Sequence, residues 1–169
     1  MGTDHNLADF AAFRAPLIGL PVSHLWRGYG SALFLEFGQL RPSTTVRRDG
    51  SLCNPTGEMS LMIEWTWRIE GRRSILCGSW SDEHKWPRSF NLVRNARVAE
   101  AVLFGRLPEI EICLTNDVRV LSFMTAEGDP VWTLFDRRGD ETRWLCVRRG
   151  TLRNETDERR LASKLNEDR

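Results

Sequence analysis

The chain has 169 residues, a formal net charge of +1 and 28% charged residues, enough length to bury on the order of 70% of its unfolded surface without metal or disulfide support. That balance excludes a self-repelling acidic chain and argues against a nucleic-acid binder, which would need a strongly basic surface. Four isolated cysteines, Cys53, Cys77, Cys113 and Cys146, form no C-x-x-C pair, and no basic-then-apolar leader or long apolar run is present, so the reading is a cytoplasmic protein, off the membrane, with free and mostly buried thiols.

Residues 1–6 read as disordered. Leu7, Phe10, Ala11 and Phe13 fall at helical spacing and predict a short helix that stops at Pro16, because the residue before proline disfavours the helical region. A strand begins near Val22, beyond Gly19 and Pro21. Residues 31–37 predict another, with Leu33, Leu35 and Phe37 on one face and Ala32, Phe34 and Glu36 on the other. Apolar residues on both faces suit a central or covered position. Residues 39–57 contain Pro42, Asp49-Gly50 and Asn54-Pro55 and read as a turn-rich connection with a short strand at 44–47.

From residue 61 to 70, Leu61, Ile63, Trp65, Trp67 and Ile69 alternate with polar or smaller residues, the period of one strand with a buried face. Gly71-Arg72 fits a type II′ turn. The matching register sets Glu70 opposite Arg73, Trp67 opposite Leu76, Trp65 opposite Gly78 and Ile63 opposite Trp80. Residues 81–91, with Asp82, Glu83, His84, Trp86 and Pro87, read as a crossing loop that exposes Trp86. Residues 96–104, with Val98 and Val102, fit a strand or a helix, and the strands that follow favour the strand.

Residues 109–123 form the clearest hairpin: Ile110, Ile112 and Leu114 alternate with Glu109, Glu111 and Cys113, and Asn116-Asp117 suits a type I′ turn. This register pairs Thr115 with Val118, Leu114 with Arg119, Ile112 with Leu121 and Ile110 with Phe123. Strands follow at 131–135 and 142–147. The charged stretch 151–169, with Leu161 and Leu165 four apart, predicts a short C-terminal helix.

Three segment pairs match in the same order, about 70 residues apart, the spacing of an internal duplication. Residues 32–37 resemble 108–112; Glu64-Trp65-Thr66-Trp67 resembles Val131-Trp132-Thr133-Leu134; Ile75-Leu76-Cys77 resembles Trp144-Leu145-Cys146. The expected fold is mainly β: two similar antiparallel β-meanders, 17–80 and 92–149, packed as a barrel or sandwich. They make one domain over 17–150, flanked by an N-terminal segment 1–16 and a charged tail 151–169, with short helices at both ends.

Ile110-Glu111-Ile112, Asn116-Asp117, residues 118–123, Glu127 and Trp132-Thr133-Leu134-Phe135 together resemble a pattern of small bacterial β-rich proteins of unassigned function. Some of these are similar to immunity or accessory proteins encoded beside secreted toxins. Asp117 stands where the family's turn has glycine. The resemblance implies a β-rich fold and carries no active site.

Chemistry-bearing constellations are sparse. His5, His24 and His84 are too few and too scattered for a metal site, which takes three or four ligands. His24 reads as a half-buried structural residue, and Asp82-Glu83-His84 as solvated surface. Glu109 and Glu111 share a strand face that is expected to meet solvent, where burial tunes neither carboxylate. Glu36 and Glu64 are expected to be partly buried. The Arg47-Arg48, Arg72-Arg73, Arg137-Arg138 and Arg148-Arg149 pairs sit at expected turns and strand ends, where charge blocks edge pairing.

No catalytic residue, metal ligand or cofactor is assigned. The leading reading is a non-enzymatic protein-binding protein, immunity-like, that presents a sheet face or the loops 39–57 and 81–91 to a partner, or self-associates as a homodimer. The alternative is a small-molecule or enzyme site between the two halves, lined by Glu64, Trp65, Trp67, Trp132 and Trp144.

Overall fold

Alternating burial runs through most strands, as in Glu109–Leu114, where Ile110, Ile112 and Leu114 are buried and their neighbours half-buried. In the computed structural model, which describes residues 3–155, such segments form eleven strands in two antiparallel sheets. The strands are β1 (Val22–Arg27), β2 (Leu33–Phe37), β3 (Met59–Ile63), β4 (Trp67–Glu70), β5 (Ile75–Gly78), β6 (Val98–Phe104), β7 (Glu109–Leu114), β8 (Arg119–Ser122), β9 (Trp132–Asp136), β10 (Arg143–Arg148) and β11 (Thr151–Asn154). One sheet has the order β1-β2-β3-β9-β10-β11, the other β5-β4-β8-β7-β6.

The fold is therefore mainly β and sandwich-like, with the sheets not closed into a barrel. Leu33, Leu35, Phe37, Leu61, Ile63, Leu134 and Leu145 of the six-stranded sheet share one core with Trp67, Ile69, Ile110, Ile112 and Val120 of the other. All are fully buried. Each sheet draws strands from both sides of residues 81–91, so the sheets do not follow the division into 17–80 and 92–149. Trp65-Thr66 lies on a connection between sheets while Trp132-Thr133 lies within β9, and the two matched segments occupy non-equivalent positions.

Helix α1 (Thr3–Leu17) begins earlier than expected and carries Pro16 inside its last turn. Phe10, Phe13 and Leu17 line its buried face, which packs on β10, β11 and β6 and so touches both sheets. Proline there forfeits one helical hydrogen bond, and burying Leu17, at about 1.5–3 kcal/mol, offsets that loss. Residues 81–91 are not a crossing loop. A 3-10 turn at Glu83–Lys85 leads into α2 (Trp86–Val93), with Pro87 in the first turn, where its missing N–H costs nothing. Trp86 is consequently buried against Trp67, ring centroids 5.6 Å apart, instead of exposed.

Both hairpins hold, each with a corrected register. In β7–β8, Cys113 faces Arg119 and Ile112 faces Val120, one residue off the expected pairing. The loop takes three residues, with Asp117 at φ 62° and Asn116 Oδ1 accepting from Val118 N at 3.3 Å, the G1-bulge solution open to a residue that tolerates the left-handed region. In β4–β5, Arg68 and not Trp65 faces Gly78, because the hairpin closes with Gly71 N donating to Ser74 O at 2.9 Å and the ladder shifts between Ile69 and Glu70; the expected single strand 61–70 is also broken at 64–66. Its first half is β3 in one sheet and its second half β4 in the other.

The C-terminal reading also changes: Thr151–Asn154 pairs with β10 and buries Leu152, so a strand stands where the helix was expected to start. The rest of that helix, with Leu161 and Leu165, lies outside the described residues. The four cysteines are free.

Candidate binding groove at the sheet crossover

The chain passes between the sheets at residues 64–66, from β3 to β4, and at 123–131, from β8 to β9. Backbone hydrogen bonds lay these crossings side by side: Phe123 N donates to Thr66 O at 3.1 Å and Glu64 N to Val131 O at 3.1 Å. The β1–β2 turn is drawn over them. Trp67 Nε1, at the end of the core, donates to Ser31 O at 2.6 Å, and Ser31 Oγ donates to Trp65 O at 2.6 Å.

Between these segments and the end of β5 lies a groove of about 560 Å³, within the size range of ligand sites. Its rim carries Trp65, Trp80 and Tyr29, which are 47%, 84% and 102% exposed. Gly128 makes room for Trp65: a Cβ there would lie 2.8 Å from the indole Nε1, so only glycine lets the second crossing run this close to the ring.

Glu64 and Glu127 supply carboxylates to the same groove. Among the described residues neither carboxylate has a hydrogen-bond or ion-pair partner, and Glu127 also lines the second cavity described below. Arg27 also lines it, but its guanidinium is committed: Nε donates to Gly30 O at 2.8 Å, a terminal nitrogen meets Glu83 at 2.5 Å, and the group stacks on Trp86 at 4.9 Å. Ser31, Thr66, Ser79 and Thr125 complete the polar lining. A second cavity, of about 550 Å³, lies across the 124–129 segment and is lined by Leu107, Pro108, Val131 and Val147 among others.

Of the five residues nominated from the sequence, the structure brings Glu64 and Trp65 together in the groove. Trp67 and Trp132 are fully buried, their indole N–H groups donating to Ser31 O and Pro108 O at 2.6 and 2.8 Å, and they serve the core. Trp144 is half-buried on the outer face of the six-stranded sheet, edge-on to Phe135 at 6.1 Å. The five do not line one site between two halves.

Sequence reasoning missed Tyr29, Trp80 and Glu127. Trp80 was expected to face Ile63, a pairing that the break at 64–66 removes. A usable signal existed for Tyr29: a large ring between Gly28 and Gly30 belongs to no strand phase and has no face to bury.

Several carboxylates elsewhere are engaged. Glu36 is 1% exposed but alternates with the core residues of β2, and so faces away from the interior. It accepts from Trp26 Nε1 at 3.2 Å, Gly57 N at 2.8 Å and the Ser60 hydroxyl. Glu109 and Glu111 are not a solvent-facing pair. Glu109 accepts from Ser122 Oγ at 2.5 Å and Met124 N at 2.6 Å, while Glu111 accepts from Arg119 at 2.7 Å.

Burial, reinforced by Glu111, pushes the Cys113 thiol up to about 11. Burial also pushes Asp136 up, yet bonds from Arg138 and Arg143 at 2.7–2.9 Å outweigh it and hold that carboxyl well below the usual range. Three of the arginine pairs thereby lose cations to salt bridges: Arg72 to Asp117, Arg138 to Asp136 and Arg148 to Glu155. His24 Nε2 lies 3.2 Å from Asn54 Oδ1. Among the described residues no three His, Cys, Asp or Glu side chains gather as metal ligands, and no helix is long and apolar enough to cross a membrane.

No family model matches the chain, and no curated protein or solved structure shows significant similarity to it.

Proposed function

We propose that the protein is a binding module that holds a protein partner at the groove of Tyr29, Trp65 and Trp80, acting in the cytoplasm in an immunity-like role. The observation that supports this is the exposure of three large aromatic rings on one concave surface, in a chain that buries Trp67, Trp86 and Trp132 without difficulty. Exposed Trp and Tyr on a fixed scaffold are the residues that most often dominate protein interfaces. The interior between the sheets is filled by the shared core, which supports reading recognition at the surface and not between the sheets.

The test is a comparison of affinity capture from the native cell with wild type and the Trp65→Ala/Trp80→Ala double variant, both checked for unchanged far-UV circular dichroism and melting. A partner retained by wild type and lost by the variant supports the proposal. An identical set of retained proteins refutes it. A small-molecule reading attaches to the second cavity, with its apolar walls at Leu107, Val131 and Val147. Native mass spectrometry of the purified chain would detect a retained apolar compound.

A further inference from the structure

Resting on the reading of this groove as the recognition surface, we infer that the partner presents a basic side chain, Lys or Arg, to it. The groove combines ring faces with two carboxylates, Glu64 and Glu127, that no described residue neutralises. A cation is attracted by the negative face of an aromatic ring and by carboxylates alike. An acidic partner would add like charge against Glu64 and Glu127.

The fold itself shows the same combination completed elsewhere. Arg27 lies over Trp86 at 4.9 Å and pairs with Glu83. Arg68 lies over Phe123 at 4.8 Å and pairs with Glu70. Arg143 lies over Phe13 at 5.0 Å and pairs with Asp136. In each case one arginine satisfies a ring and a carboxylate together. At the groove the rings and the carboxylates are present, and the one arginine on its wall, Arg27, is already spent on Trp86 and Glu83. A guanidinium or ammonium entering from outside completes the pattern.

The experiment uses the purified full chain and its tryptophan fluorescence, which Trp65 and Trp80 report from the groove. The probes are an octapeptide with central arginine, its lysine counterpart, a citrulline counterpart that keeps the shape without the charge, and a glutamate counterpart. The arginine or lysine peptide is expected to give a saturable change, with affinity about tenfold or more above that of the citrulline peptide. Neutralising the groove in a Glu64→Gln/Glu127→Gln variant is expected to erase that preference, and rising salt to weaken it.

Equal response to the basic and citrulline peptides, including no response to either, overturns the inference, as does preference for the glutamate peptide or for a neutral oligosaccharide. The Trp65→Ala/Trp80→Ala variant, which lacks both reporters and is titrated by calorimetry beside wild type, separates the two levels. If the native partner depends on those rings while charge has no effect, only the basic-side-chain inference fails; if the partner and peptides bind the ring variant unchanged, the groove reading fails with it.

Discussion

Replacing Trp67 with phenylalanine tests how the core holds the groove in shape. Trp67 is fully buried, packs on Trp86 and Phe90 at centroid distances of 5.6 and 6.2 Å, and donates its indole N–H to Ser31 O at 2.6 Å. Phenylalanine keeps one ring but removes that donor and the five-membered ring. The stranded carbonyl costs about 1 kcal/mol, the low end because Ser31 is only half-buried. The space left behind adds roughly 1–2 kcal/mol. Together the loss is about 2–3 kcal/mol, a large share of the 5–15 kcal/mol that is typical of a domain.

Urea unfolding followed by far-UV circular dichroism measures this, with an unchanged slope confirming the same transition. Trp67→Ala is expected to cost at least 3–5 kcal/mol. Because Ser31 also holds Trp65 O, acrylamide should quench Trp65 fluorescence in the phenylalanine variant more readily than in a wild-type control. A Trp67→Phe protein within about 0.5 kcal/mol of wild type would refute the reasoning.

Asp136 links stability to acid. Its carboxyl is held low in the folded state and sits near 3.8 when unfolded, so its contribution is full above that value and fades as pH falls below about 4. Asp136→Asn should be less stable than wild type at pH 7 and should lose less between pH 4 and pH 2 in parallel urea titrations. Gly128→Ala should push the Trp65 ring or the 124–129 segment aside; a shifted Trp65 emission with little change in far-UV signal is expected, and identical emission would contradict the packing. The Cys113 thiol, pushed up to about 11, should react slowly with a thiol reagent at pH 7.5, and Glu111→Gln should accelerate it, as timed by mass spectrometry of the labelled residue.

Most strands were legible because a strand with one buried face writes its period into the sequence. Leu33, Leu35 and Phe37 in β2, and Ile110, Ile112 and Leu114 in β7, show it plainly. The same rule misled at residues 61–70, where Leu61, Ile63, Trp67 and Ile69 are buried and Trp65 is not. The alternation continues in phase across a change of sheet, and nothing local marks the point at which the partner strands end. Residues 86–93 were misread for a related reason: Trp86, Ser89 and Val93 make a helical face that gains meaning only from β5 and β1, on which it packs. The site followed the fold. Glu64 and Trp65 were nominated for facing a common interior and instead meet Tyr29 and Trp80 at its edge.

Side-chain alternation and turn residues by themselves determined that this is a β protein with hairpins turning near Gly71-Arg72 and Asn116-Asp117, because those features depend on neighbours a few residues apart. Tertiary structure alone decided which sheet each strand joins, where the chain crosses between them, and which tryptophans stay in water. Those outcomes depend on hydrogen bonds such as Glu64 to Val131 and Phe123 to Thr66, whose partners lie more than fifty residues apart in the chain, and local pattern carries no record of them.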